Sequence, residues 1–342
     1  MNTIFIWVDV SSKTLDIYNN QNKNCIQIQN NYKSICSYFK FILSINSKVT
    51  IFSEATWVYS SSLCKTSQDL WIIHYEINPR TIHQLGKNLW DRNKTAKIDA
   101  EKIANIWILL SQMNEEWMWK NRLSLIPSSD IKKLKSIMSA IHSLKYDIQK
   151  FKQRISAVEK DEFSPTWWKK DIEKSISVSL KQKEKLVKQA MNIINEHDYQ
   201  SNIEHLCTIP WISKEVSLEL IVFFMDLEAK WIELKDKSKV KACAWLDVSF
   251  QQSWSSINKK RISKQWNKHV RSILQIWWRC WFRLSKIDKY KETNLWKFFQ
   301  RMEDKFSTPI KKNGNSICTA MSKKLLLVAW WIYWRNEPYN WS

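Results

Sequence analysis

Glycine is almost missing from this chain. Its 342 residues include 2 glycines, where ordinary usage near 7% gives about 24. Long apolar runs are missing too. The longest, Leu325 to Trp334, is ten residues, and a membrane-spanning helix needs about 20. Met1-Asn2-Thr3 opens no basic, then apolar, leader of the signal-peptide kind. The expectation is a soluble, intracellular protein of the cytoplasm with no membrane partner. The seven cysteines (25, 36, 64, 207, 243, 280, 318) contain no CxxC pair and are odd in number. Reduced thiols are expected, not a disulfide framework or a zinc site. The six histidines show no HxxxH or HExxH spacing, which argues against a histidine-built metal site. Acids are scarce: 33 Asp and Glu face 54 Lys and Arg, a net charge of +21.

What is present in excess is tryptophan, at 22 residues. Several tryptophans stand where a glycine is wanted. Trp211 lies in the turn Thr208-Ile209-Pro210-Trp211-Ile212-Ser213 between two helical patterns. Trp254 sits between Ser253 and Ser255, and Trp266 precedes Asn267. Tryptophan strongly disfavours the φ > 0 conformations such turns use. The reading we carry forward is that UGA codons meaning glycine were translated as tryptophan; positions 7, 57, 211, 245, 254 and 266 are the first to inspect. The competing reading is a protein rich in genuine tryptophan.

With 44% hydrophobic and 25% charged residues, the chain has enough apolar content for a real core and enough length for about two domains. Residues 1–113 hold 12 basic and 8 acidic side chains, so most of the positive excess lies downstream. A field of that sign attracts polyanions, nucleic acid first among them. A lysine-rich solubilising surface is the plain alternative.

Residues 4–10 are a β-branched and aromatic run ending near Asp9, and shorter strand patterns follow at 14–18 and 25–29. A helix is expected over about 31–44, then a strand at 49–53 leading into Glu54, a helix near 58–68 and a strand near 71–77. Helical segments follow Asn78-Pro79, the last from about 97 to 113. Three strands, then alternating helix and strand, is the order of an RNase H-like α/β domain, which gathers acids at neighbouring strand ends. From Asp130 apolar residues recur every three or four positions through Val158, predicting a long amphipathic helix. Ser164-Pro165 breaks it, and a second helix is expected over about 169–196, closing a coiled-coil helical hairpin. An ordinary helical bundle fits the same pattern. Beyond 200 the chain reads as short helices and turns, strongly basic from Lys259 to Arg283 with Trp and Phe interleaved.

Asp9 near the end of the first strand, Glu54 after a later one and Asp99 at a helix start are three acids at the edges of buried elements. Hard oxygen ligands in that arrangement suit Mg²⁺ or Mn²⁺. Helix caps and surface acids are the competing reading.

The motifs around these acids form an ordered set. Ile6-Trp7-Val8-Asp9-Val10-Ser11-Ser12-Lys13, with Trp7 read as glycine, resembles the opening of the DEDD transposases of the insertion sequence 110 family. Glu54-Ala55-Thr56-Trp57-Val58-Tyr59 resembles that family's E-x-T-G-x-Y. Asn78-Pro79 and Lys94-Thr95-Ala96-Lys97-Ile98-Asp99-Ala100 resemble its N-P and K-T-D-x-x-D-A blocks. Thr208 to Ile212 is similar to its T-I-P-G-I, and Ala244-Trp245-Leu246 to its A-G-L. Gln252-Ser253-Trp254 and Arg261 to Asn267 resemble its S-G and R-I-S-K-x-G-N blocks. In six of these blocks tryptophan stands where the family has glycine.

The resemblance implies a RuvC-like (RNase H-like) nuclease domain over 1–115 and a coiled-coil hairpin over 116–200. It implies a mainly α-helical transposase domain with a helix–hairpin–helix-like turn over 201–342. Asp9, Glu54 and Asp99 would be the metal ligands, and Ser253 the nucleophile that forms a transient phosphoserine link to DNA. The family's third acid falls at Ala96, which has no carboxylate, so activity of this copy is in question. Lys94, Lys259, Lys260, Arg261, Lys264, Lys268 and Arg271 are expected to face nucleic-acid phosphates. The implied partners are the DNA of the element ends and target, a bridge RNA, and further copies of the chain in a dimer or tetramer, in a prokaryotic cytoplasm near the nucleoid. Two other readings stay open: a metal-dependent structure-specific nuclease with no covalent step, and a degenerate copy that only binds nucleic acid.

Overall fold

The structure, a computed structural model of the full chain, describes residues 3–19, 24–45, 48–56, 58–77, 123–125, 128–229, 237–244, 248–253, 257–262, 268–284, 294–306 and 314–339. Two compact units emerge, Met1–Ser129 with Ala229–Ile232, and Asp130–Glu228 with Glu233–Ser342. The strongest sequence periodicities become the longest elements.

In the first unit the strands are β1 (Thr3–Val10), β2 (Thr14–Asn19), β3 (Asn24–Gln29), β4 (Lys48–Glu54), β5 (Ile73–Ile77) and β6 (Leu123–Leu125), with helices α1 (Tyr32–Ile45) and α2 (Ser61–Asp69) between them. They form one six-stranded sheet in the order β3-β2-β1-β4-β5-β6. β1 runs parallel to β4, and β4 to β5, while β2, β3 and β6 pair antiparallel to their neighbours. Side chains alternate along each strand, so the pairing register sorts them onto two faces. One face carries Ile4, Ile6, Val8, Val10, Leu15, Ile17, Val49 and Ile51, packed with Ile35, Phe39 and Ile42 of α1 and Leu63 of α2. Each such aliphatic residue, fully buried, contributes on the order of 1.5–3 kcal/mol.

Beside this oil-like core runs a polar seam. His74 is 1% exposed, and each ring nitrogen meets a buried serine, Ser53 Oγ at 2.8 Å and Ser67 Oγ at 2.9 Å. Ser67 Oγ donates its proton to the Cys64 carbonyl, so it accepts from His74 Nδ1–H. That assigns the tautomer: Nε2 carries the lone pair and accepts from Ser53. Ser60 and Cys64 both donate to Glu76 on β5. The strand preceding Glu54 is thereby tied to α2 and β5 by directional bonds as well as by apolar contact.

The second unit holds α3 (Ser129–Val158), α4 (Thr166–Glu196), α5 (Gln200–Cys207), α6 (Lys214–Ala229), α7 (Lys237–Cys243), the strands β7 (Val248–Ser253) and β8 (Ile257–Ile262), then α8 (Lys268–Leu284), α9 (Asn294–Phe306) and α10 (Gly314–Arg335). The expected helical hairpin is α3 and α4, broken at Pro165, which takes the N-cap position with φ −61°. Ile131, Leu134, Met138, Ile141 and Ile148 of α3 are buried. Glu215 of α6 joins the hairpin helices: Lys145 of α3 and Lys183 of α4 reach it at 2.9 and 2.7 Å. Burial alone would raise the Glu215 carboxyl, and the two lysines hold it below its usual range.

Two features of this unit depart from the expected run of short helices. β7 and β8 pair as an antiparallel hairpin, and α10 is 22 residues long. The strands Val248-Ser249-Phe250-Gln251-Gln252-Ser253 and Ile257-Asn258-Lys259-Lys260-Arg261-Ile262 carry too few apolar residues for a clear alternation. None of the seven cysteines forms a disulfide. Among the described residues no helix is long and apolar enough to cross a membrane.

Positive φ occurs at four non-glycine residues among those described: Trp71, Asp198, Trp211 and Asn336. Aspartate and asparagine tolerate this region; tryptophan does not. Trp71 ends α2 in a Schellman motif, its N–H bonded to the Gln68 carbonyl and the Ile72 N–H to the Ser67 carbonyl. Its position is the one glycine fills most often, and its ring is 93% exposed. Trp7 behaves differently, lying in the extended β1 and 3% exposed.

Candidate functional site

The face of the sheet away from α1 and α2 carries aromatic residues toward the middle and carboxylates toward one end. Trp7 is paired with Tyr18 on β2 and Phe52 on β4, and Phe52 with Tyr75 on β5. The Phe52 and Tyr75 rings stack at 5.6 Å. Two residues further along the strands, the same register brings Asp9 opposite Asp16 of β2 and places it beside Glu54 at the end of β4. Parallel pairing of β1 and β4 brings the two acids to the same end of the sheet. Two strands leave the sheet at the same end, each with an acid at its last turn outward.

The electrostatics record the crowding. The Glu54 carboxyl is raised above its ordinary value, first by burial and then by the negative charge of Asp9. Two carboxylates that repel one another at a strand edge are a donor set for a hard divalent cation, which needs only one or two protein carboxylates and keeps water in its other positions. Among the described residues no group of three His, Cys, Asp or Glu side chains is close enough to hold a metal. Asp99, expected as the third ligand, and Lys94 lie outside the described residues.

Asp16 was not anticipated from the sequence. It faces Asp9 across the β1–β2 hairpin, and its Oδ1 accepts from Gln27 Nε2 of β3 at 2.8 Å. The signal was present: a turn at Ser11-Ser12-Lys13 between two strand patterns fixes the register that opposes residues 9 and 16.

In the second unit Ser253 is the last residue of β7, paired with Ile257 across a three-residue connection. Lys259, Lys260 and Arg261 lie on β8, and Lys268 begins α8. Lys264 falls outside the described residues. Arg271 on α8 is 9% exposed, and burial pushes its guanidinium below its usual range. It belongs to the interior of the unit, not to an open basic surface.

The T-I-P-W-I turn joins α5 to α6, with Trp211 at φ 60°. Ile209 and Ile212 are buried, and the Pro210 carbonyl accepts a 2.8 Å bond from Trp277 Nε1 of α8. The chain matches no family model and no curated protein.

Proposed function

We propose that the chain is a transposase of an insertion sequence, a DNA recombinase that cuts and rejoins strands by phosphoryl transfer with a serine nucleophile. One observation carries the reading: Asp9 and Glu54 stand side by side on adjacent parallel strands, with the Glu54 proton held more tightly by burial and by its neighbour's charge. The strand order β3-β2-β1-β4-β5, with helices packed on one face, supports an RNase H-like, RuvC-like reading of the first unit. The ordered motifs from Asp9 to Asn267 add the resemblance to the insertion sequence 110 family.

In this reading Asp9 and Glu54, with Asp99, hold Mg²⁺ or Mn²⁺. When bound, the cation supplies positive charge that offsets the negative charge gathering on a phosphate under attack. Ser253 contributes its hydroxyl oxygen to phosphorus; the sugar oxygen on the far side leaves and takes up a proton, giving a phosphoserine link that a second strand end can resolve. Lys259, Lys260, Arg261, Lys264 and Lys268 neutralise backbone phosphates, and the α5–α6 turn resembles the helix–hairpin–helix that binds phosphates without reading sequence. A bridge RNA, a homodimer or tetramer, and a cytoplasmic, nucleoid-associated setting belong to the same proposal.

A second reading has its own support, since Asp9 and Glu54 both lie in the first unit and can assemble a nuclease without Ser253. Trapping decides between them. The recombinase, carrying glycine at 7, 57, 211, 245, 254 and 266, gives a covalent protein–DNA adduct with its element ends, Mg²⁺ and guide RNA, and Ser253→Ala abolishes the adduct. Cleavage without an adduct selects the nuclease. Binding without cleavage selects a degenerate copy, for which Ala96 is the reason.

A further inference from the structure

Asn30 follows the last residue of β3 and precedes α1, far in sequence from either acid. Its backbone N–H bonds the Lys13 carbonyl at 2.8 Å, fixing it against the turn between β1 and β2. Its side-chain amide then reaches in two directions. Nδ2 donates to the Ser11 carbonyl at 2.7 Å and to the Tyr59 carbonyl at 2.9 Å. Ser11 lies two residues beyond Asp9, and Tyr59 lies five beyond Glu54.

A single amide therefore ties the segment leaving β1 to the segment leaving β4, just past the two carboxylates. Both hydrogens of the amide are used, which is the full donor capacity of an asparagine. The orientation is fixed by its partners, because the flipped amide would set Oδ1 against two carbonyl oxygens. Oδ1 itself is buried and has no hydrogen-bond partner. A side chain that leaves its own acceptor unmatched while making two donor bonds is placed for those donor bonds.

We infer that Asn30 is a positioning residue for the acid pair, a clamp that sets the approach of Asp9 to Glu54 and so their joint affinity for a divalent cation. The inference rests on the metal-dependent reading above and adds a residue to it. The β1–β4 ladder sets the register as far as Val8 and Ser53, and the Asn30 amide adds a bridge past the ends of β1 at Val10 and β4 at Glu54. Past the ladder the Ala55 N–H bonds the Ile77 carbonyl of β5, and the Asn30 amide bonds the Ser11 and Tyr59 carbonyls. Partners that orient metal-binding carboxylates typically change metal affinity by about 10–100-fold when removed.

The test is Mn²⁺ binding to the full chain, read by Mn²⁺ electron paramagnetic resonance, with a thermal melt on the same samples. Asn30→Ala is expected to weaken Mn²⁺ binding about tenfold while the melt in chelator stays within a few degrees of the parent. Ser37→Ala, on the exposed face of α1, is the control and is expected to keep parental affinity. If Asn30→Ala does not fold, Asn30→Ser, which keeps one donor, is judged by the same criterion. Parental affinity in a folded Asn30 variant, while Asp9→Asn abolishes binding, overturns the clamp and leaves the metal reading intact. Parental affinity in Asp9→Asn and Glu54→Gln removes the metal reading itself, and the clamp with it.

Discussion

A left-handed backbone at a non-glycine residue costs roughly 1–2 kcal/mol, so Trp71 and Trp211 should be improved by the residue their geometry asks for. Trp71 is the cleaner case, because its ring is 93% exposed and little packing is lost with it. Trp71→Gly is expected to raise the urea midpoint by an amount worth about 1 kcal/mol, and the codon at 71 is expected to be UGA, as at 211. A loss of stability in Trp71→Gly would mean that the indole is native there. Trp71 belongs to none of the motifs that first suggested glycine, so its geometry tests that reading independently. Glu54 gives a second prediction at this scale. Its folded pKa is raised, so its contribution to stability is present below the ordinary carboxylate value and lost as pH climbs through the raised one. At pH 7 without divalent cation the ionised pair is a burden, and Glu54→Gln is expected to be more stable than the parent by about 0.5 kcal/mol, a small figure because solvent screens the site. Adding Mg²⁺ should reverse the order, since binding stabilises only the chain that holds it. Melts at pH 7 in chelator and in Mg²⁺ read both signs; a parent more stable than Glu54→Gln in chelator contradicts the account.

Among elements, those visible in the sequence are the ones whose burial pattern matches one period. β1 through β5, α1 and the two long hairpin helices alternate or repeat so clearly that their ends fall within a few residues of expectation. α2 is helical where expected, yet its sequence Ser-Ser-Leu-Cys-Lys-Thr-Ser-Gln-Asp hides why it packs. Ser60, Cys64 and Ser67 are buried because Glu76 and His74 satisfy them, and a polar face paired with a polar strand leaves no hydrophobic signature. The β7–β8 hairpin was illegible for the related reason that its strands are Gln-, Ser- and Lys-rich. Of the candidate site, Asp9 and Glu54 were legible as acids at strand ends, but their adjacency needed the parallel register, and Asp16 and Asn30 needed the hairpin and the loop crossing. The polar seam predicts its own cost. His74→Leu leaves the Ser53 hydroxyl buried without its acceptor, a penalty of roughly 1–3 kcal/mol, while Ser67 keeps its bond to the Cys64 carbonyl. Denaturant unfolding should therefore show a loss for His74→Leu that shrinks in the double variant with Ser53→Ala. Additive losses would show that the two side chains are not coupled.

At the scale of the whole molecule the governing quantity is the charge of +21, which makes any binding to DNA a release of counterions from the phosphates. For duplex DNA the logarithm of affinity falls against the logarithm of salt with a slope near −0.9 for each phosphate neutralised. Five basic side chains stand as open candidates by sequence, Lys259, Lys260, Arg261, Lys264 and Lys268. If each meets one phosphate, the slope contributed by this stretch is about −4.5. Arg271 lies in the same basic stretch but is buried, and its desolvated guanidinium is part of the interior. The two kinds of residue should separate in a titration across salt. Lys260→Gln is expected to flatten the slope by about 1 with an unchanged melt. Arg271→Gln is expected to lower the melting temperature and leave the slope of the folded fraction as it was. Fluorescence anisotropy on a labelled duplex at several salt concentrations measures both. An Arg271→Gln variant that folds normally and flattens the slope as Lys260→Gln does would place the Arg271 guanidinium on the DNA, and the packing of α8 described above would not be that of the bound state.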